Sequence, residues 1–230
     1  MNVTYFGHSC FQLTINGKTI LFDPFITPND LAKDIDVSQI KPDYILVSHG
    51  HFDHINDVEQ IAKQSNAKVV ASWEVIEYFK KKGLENVHPM NTGGTWEFDF
   101  GIVKCVTAVH SSGLPDGTDG GSPMGFVISF MEDDVNKNVY FAGDTALTYD
   151  MKLIEETYDH IDFAILPVGD NLTMGIDDAV KAATFVNADT VIPMHYDTFG
   201  LIEIDHEYLK DAFNDFELQM FNIGEEKTLN

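Results

Sequence analysis

Apolar positions along the chain fall into short runs with two alternating periods. Residues 3–6, 11–15 and 19–22 are β-branched and aromatic runs, and Asn16-Gly17 between the last two predicts a two-residue hairpin turn. Residues 44–47 form an apolar run with no polar alternation, the pattern of a strand covered on both faces. A helical pattern over 56–64 follows, then a strand at 68–71 and a helix at 74–82 that ends before Gly83, a natural left-handed stop. Further strands are predicted at 95–98, 102–108, 125–131 and 138–141. After these, helices at 149–158, from Ile176 and at 205–213 alternate with strands at 163–166, 190–193 and 217–220. Each half therefore begins with strands and continues with alternating helices and strands. Two mixed sheets packed face to face with helices outside satisfy that order, in one domain spanning 1–230.

Composition narrows the functional classes. The chain carries 14 Lys+Arg against 37 Asp+Glu, a formal charge of -23. Binding through phosphates needs a basic face that releases counterions, so a nucleic-acid partner is not expected, nor is docking on an anionic membrane. No apolar run approaches the ~20 residues of a spanning helix, and residues 1–5 lack the basic and apolar regions of a signal peptide. Two cysteines, Cys10 and Cys105, are too few for a disulfide framework; two buried thiols and a cytoplasmic location are expected.

The segment Ser48-His49-Gly50-His51-Phe52-Asp53-His54 brings the chemistry. Three imidazoles and a carboxylate follow a buried strand within six residues, and such donors suit zinc, manganese or iron. On a turn, His49 and His51 can point one way while Asp53 and His54 face a second point, with Gly50 allowing the bend. Further donors occupy similar settings, each after a β-run and before a loop: His110, Asp144 in Gly143-Asp144-Thr145, and His195.

In that order, the pattern resembles the metallo-β-lactamase superfamily across nearly the whole chain. The start, Tyr5-Phe6-Gly7-His8-Ser9-Cys10-Phe11, with Leu21-Phe22-Asp23-Pro24, resembles its stand-alone metal-dependent hydrolases related to the L-ascorbate-6-phosphate lactonases. The resemblance implies an α/β fold, a four-layer αββα sandwich with the metals at one edge of the sheets. It implies two divalent ions, zinc first, with manganese, iron and nickel also suited to the ligands. His49, His51 and His110 would bind one, Asp53, His54 and His195 the other, and Asp144 would bridge them. It also implies hydrolysis of a small metabolite by a metal-bridging hydroxide attacking a carbonyl or phosphoryl centre of a lactone, ester or phosphate ester.

The resemblance places Asp23 beside the metals, where it is expected to hold a metal-bound histidine by its outer nitrogen, with a turn-forming Asp before Pro24 as the alternative. His8 is a candidate to bind substrate or donate a proton, with a satisfied core histidine as the alternative. The glycine-rich stretch 111–123 reads as a loop over the opening, and Met174, Tyr196 and Phe199 as candidate pocket walls. His88, His160 and His206 read as surface or structural. The rival functions are a phosphodiesterase or nuclease, a redox di-iron protein, and a non-catalytic metal-binding protein. Charge and length weigh against the first, the retained His54 and length against the second, and the complete donor set against the third. A homo-oligomer is the default assembly for a compact enzyme.

Overall fold

In the computed structural model, residues 1–229 are described. The first half supplies β1 (Asn2–Gly7), β2 (Cys10–Ile15), β3 (Lys18–Phe22), β4 (Tyr44–Leu46), α1 (Phe52–Ile55), α2 (Val58–Ser65), β5 (Lys68–Ala71), α3 (Trp73–Lys81) and β6 (Val87–Pro89). The second supplies β7 (Thr95–Phe98), β8 (Gly101–Thr107), β9 (Met124–Glu132), β10 (Val135–Phe141), α4 (Lys152–Tyr158), β11 (Ile161–Pro167), α5 (Ile176–Phe185), β12 (Ala188–Met194), α6 (His206–Ala212), β13 (Glu217–Leu218) and β14 (Glu226–Thr228).

Two seven-stranded sheets result, ordered β14-β1-β2-β3-β4-β5-β6 and β13-β12-β11-β10-β9-β8-β7. The expected α/β sandwich is observed. Phe22 of the first sheet stacks on Phe141 of the second at 4.6 Å and lies 6.3 Å from Phe126, so the apolar faces of the sheets share one core. A second apolar cluster beneath α2 and α3 covers the outer face of the first sheet through Val58, Ile61, Val75 and Phe79. That double coverage explains why Tyr44–Leu46 is buried at every position.

Local chemistry sets several boundaries. Asn16 and Gly17 both take positive φ, 51° and 75°, as the hairpin turn requires, and Ile15 pairs with Lys18 across it. The Ser72 hydroxyl accepts from the Val75 amide at the start of α3. At its end Gly83 has φ 88°, and the Gly83 and Leu84 amides donate to the Lys80 and Phe79 carbonyls, closing the last turn.

Three features depart from the sequence reading. β6 and β14 were not expected: β6 is three residues long and ends in proline, while β14 is a polar strand defined by pairing with β1. Phe52–Ile55 is a short helix rather than a plain turn. The 111–123 stretch has internal order, with Gly113 bridging Asp119 and the Leu114 amide donating to the Thr118 carbonyl.

Candidate metal centre

β3, β4 and β5 run parallel to one another, as do β10, β11 and β12. Their C-terminal ends carry Asp23, the His49–His54 segment, Asp144 and His195 just beyond the last strand residue. The edges of the two sheets meet there. The Met124 amide donates to the Ser48 carbonyl, and the His195 amide donates to the His8 carbonyl at 2.9 Å. Gly143 permits that approach: its φ is 63°, and a Cβ there would lie 2.9 Å from the Ser48 Cβ. His8 and His195 both hold left-handed backbone, each at φ 56°, an uncommon state for histidine.

Asp144 Oδ2 is the point of convergence. It lies 3.0 Å from His195 Nε2, 3.2 Å from His54 Nε2, 3.6 Å from His110 Nε2 and 3.9 Å from His49 Nε2. His51 turns its Nδ1 inward, 3.0 Å from His49 Nε2. The second carboxylate, Asp53 Oδ2, lies 3.1 Å from His8 Nε2, 3.8 Å from His195 Nε2 and 3.9 Å from His54 Nε2. Two groups of donors stand out, His49, His51 and His110 in one and His8, Asp53, His54 and His195 in the other; a third, Asp23, His49 and His54, spans them, and Asp144 Oδ2 lies within 4 Å of members of both.

The outer atoms of these side chains fix which nitrogens face inward. Asp23 Oδ1 accepts from the Ser48 amide at 2.7 Å, and its Oδ2 accepts from the Ser48 hydroxyl at 2.6 Å and from His54 Nδ1 at 2.8 Å. With its proton directed at Asp23, the Ser48 hydroxyl accepts from His49 Nδ1 at 2.9 Å. His51 Nε2 meets the Ser111 hydroxyl at 3.2 Å. With Nδ1 committed outward, the neutral rings of His49 and His54 present Nε2 lone pairs inward, the orientation a metal needs. Gly50 is held from above, its amide donating to the Ser112 hydroxyl at 3.0 Å.

His8 has a different function. A carboxylate only accepts, so His8 Nε2 donates to Asp53 and its Nδ1 accepts from the Thr198 hydroxyl at 3.0 Å. Burial pushes the imidazole down to about 4, against the pull of Asp53, so it is neutral at physiological pH. Burial and the facing His54 likewise hold His49 well below its ordinary range. His54 runs the other way. Burial opposes its charge, but Asp144 and Asp23 outweigh burial and hold its proton well above the usual range.

The donor set fits a cation. Asp23, Asp53 and Asp144 crowd one region, and among the described residues none of them pairs with a lysine. Asp144 Oδ1, His54 Nε2 and His195 Nδ1 are buried without a hydrogen bond. Buried groups of this kind are normally partnered. Imidazole and carboxylate together suit a divalent ion of borderline softness.

A family model described as a beta-lactamase superfamily domain matches residues 18–196. The chain belongs to the metallo-β-lactamase superfamily. It is 50% identical over 228 residues to a protein named UPF0173 metal-dependent hydrolase from Christiangramia forsetii, covering 98% of each chain. A protein of the same name from Flavobacterium johnsoniae is 51% identical over 227 residues, again covering 98% of each. The structure of a metallo hydrolase from Ignicoccus hospitalis superposes with a TM-score of 0.88 at 33% identity, over 100% of this chain and 98% of that one. The chain is thus a member of the metal-dependent hydrolases of this superfamily.

Every residue singled out in the sequence for this centre lies in it, Asp23 and His8 included. Ser48, Ser111 and Thr198 were missed, since a lone hydroxyl carries no signal until its histidine partner is known. Of the candidate walls, Met174 is core, Tyr196 lines a cavity of about 480 Å³ that His8 also borders, and Phe199 is 36% exposed. His206 bonds Asp197 at 2.6 Å, His160 lies 3.6 Å from Asp162, and His88 packs on Trp96. Both cysteines are buried and free. No helix among the described residues is long and apolar enough to cross a membrane.

Proposed function

We propose that this hydrolase binds two divalent ions, zinc first among them, and cleaves a carbonyl or phosphoryl bond in a small molecule. The observation that carries the reading is the pair of inward-facing donor groups around Asp144 Oδ2, with the outer nitrogens of His49 and His54 already committed. His49, His51 and His110 would hold one ion, Asp53, His54 and His195 the other, and Asp144 both. When bound, the ions supply a Lewis acid for the attacked group and acidify a water molecule at neutral pH.

The chain's own residues do the rest. Asp53 is the carboxylate nearest solvent, its side chain 19% exposed against 2% for Asp144, so it is the group placed to take a proton from water and pass it outward. The His8 N–H holds Asp53 Oδ2 in position, and Thr198 holds His8. His54 and His8 keep the Asp53 carboxyl ionised against the effect of burial. Asp23 locks His54, and through Ser48 it also locks His49.

Metal analysis of protein purified without chelator or a histidine tag tests the reading, together with turnover of lactones, esters and phosphodiesters. About two ions per chain are expected, with hydrolysis lost in Asp53→Ala. Full turnover by metal-stripped protein would refute it. A reducing, cytoplasmic setting agrees with two buried free thiols.

A further inference from the structure

We propose that Phe52 and Phe199 form an aromatic clamp for an uncharged, apolar group of a carbonyl substrate, beside the Asp53–His195 half of the centre. The inference rests on the hydrolytic reading above and narrows its substrate class. Phe52 immediately precedes Asp53 and is 49% exposed; Phe199 is 36% exposed. Both rings pack on the fully buried Phe25, at 5.2 Å and 6.0 Å between centroids. Phe199 also lies 5.5 Å from the His8 ring, which is itself 4.2 Å from His195. Two half-exposed aromatic faces thus share one buried support within a few ångströms of the donors. Large exposed apolar side chains grouped at a reactive centre are the usual lining of a ligand site.

The segment carrying Phe199 is held in shape. The Ile202 amide donates to the Phe199 carbonyl at 2.9 Å, and Asp197 Oδ1 accepts from the Ile204 amide at 3.1 Å. The Phe199 wall is therefore held before any ligand arrives, which lowers the ordering penalty of binding.

Protein charge weighs against a phosphate ester. All 14 basic side chains are lysine; the chain contains no arginine, and so no bidentate clamp for a phosphate. Lys18 and Lys68 begin β3 and β5, and Lys137 lies near the start of β10, at the ends opposite the metal centre; Lys227 lines the cavity that His8 borders, but its ammonium donates to the Met220 carbonyl and lies over the Phe221 ring. A phosphate ester would meet a protein of formal charge -23 and, among the described residues, no lysine paired to a carboxylate of the site, so bound ions would be its main cationic partners. A lactone or ester carries no charge to repel. In its hydrolysis water forms the new acyl C–O bond, the old acyl C–O bond breaks, and the leaving oxygen takes up a proton. The products are an alcohol and a carboxylic acid, which releases a proton to solvent.

The test compares γ-butyrolactone with its γ-phenyl derivative, and both with phenyl phosphate and bis(p-nitrophenyl) phosphate, on metal-loaded protein. The phenyl lactone should exceed the parent in kcat/KM by about tenfold, and both should exceed the phosphates. Phe52→Ala and Phe199→Ala should each lower that ratio by about tenfold, whereas Met131→Ala, on the exposed far part of β9, should not. Separately, a γ-phenyl-γ-lactam titrated into metal-stripped protein should shift the amide resonances of Phe52 and Phe199. If the lactam binds there while the loaded protein hydrolyses nothing, the clamp stands and the hydrolytic reading fails. Preference for the phosphates, or a ratio unmoved by both variants, overturns the clamp. So does a dimer that Phe199→Ala dissociates without changing the ratio.

Discussion

The two halves of the centre use similar donors in different surroundings. On one side, His51 and His110 are partly exposed, there is no carboxylate besides the shared Asp144, and the outer nitrogens of His49 and His51 meet serine hydroxyls. On the other, His54 and His195 are buried, Asp53 adds a second carboxylate, and the outer nitrogen of His54 meets the fully buried Asp23. A carboxylate–histidine pair raises the basicity of the inward nitrogen more than a hydroxyl does. Burial also strengthens each charge interaction and penalises each charge left unpaired. The half anchored directly by the Asp23 carboxylate is therefore the tighter one.

The largest effect should come where the halves meet. Asp144→Asn keeps the shape but removes the charge facing four imidazoles, so both ions should be lost and kcat/KM should fall by about 10³-fold. Metal analysis and steady-state kinetics check it, with circular dichroism to establish that the fold persists. Next comes the anchor of the buried half. In a zinc titration, Asp23→Asn should weaken the site of Asp53, His54 and His195 by about 10–100-fold, and the site of His49, reached only through Ser48, by less. The same titration on Ser111→Ala should weaken the other site by only about threefold, the net worth of one ordinary hydrogen bond. Equal losses in the two variants would abolish the distinction between the halves.

Gly143→Ala probes the seam between the sheets. The new methyl meets Ser48 at a positive φ, so denaturant melts should report a loss of about 2 kcal/mol. The smallest effect concerns the thiols. Burial pushes Cys105 up to about 12 and raises Cys10 as well, so a disulfide reagent at pH 8 should find neither in the native protein and two in denaturant. The linked stability has a definite sign. The unfolded thiols ionise from about pH 8.5 while the folded ones stay neutral, so this contribution falls as pH rises above that value.

Much of this arrangement was legible in the chain, for identifiable reasons. His49, His51, Asp53 and His54 announce themselves by crowding into one turn, and His110, Asp144 and His195 by each following a β-run. The hairpin at Asn16-Gly17 and the stop at Gly83 follow from local backbone preference. What stayed hidden depends on distant partners. β14 has no apolar pattern and exists because β1 offers it an edge. Ser48 gains its function only when Asp23, 25 residues away in sequence, comes within 2.6 Å. His8 could be read as proton donor, substrate binder or core residue until Asp53 and Thr198 were found at its two nitrogens.

The most direct test of the two-sided centre is a crystal structure of zinc-loaded protein with anomalous diffraction measured across the zinc edge. Two peaks are expected on opposite sides of Asp144 Oδ2, one among His49, His51 and His110, the other among Asp53, His54 and His195. A single ion held without Asp144, or zinc bound only elsewhere on the surface, would contradict the account.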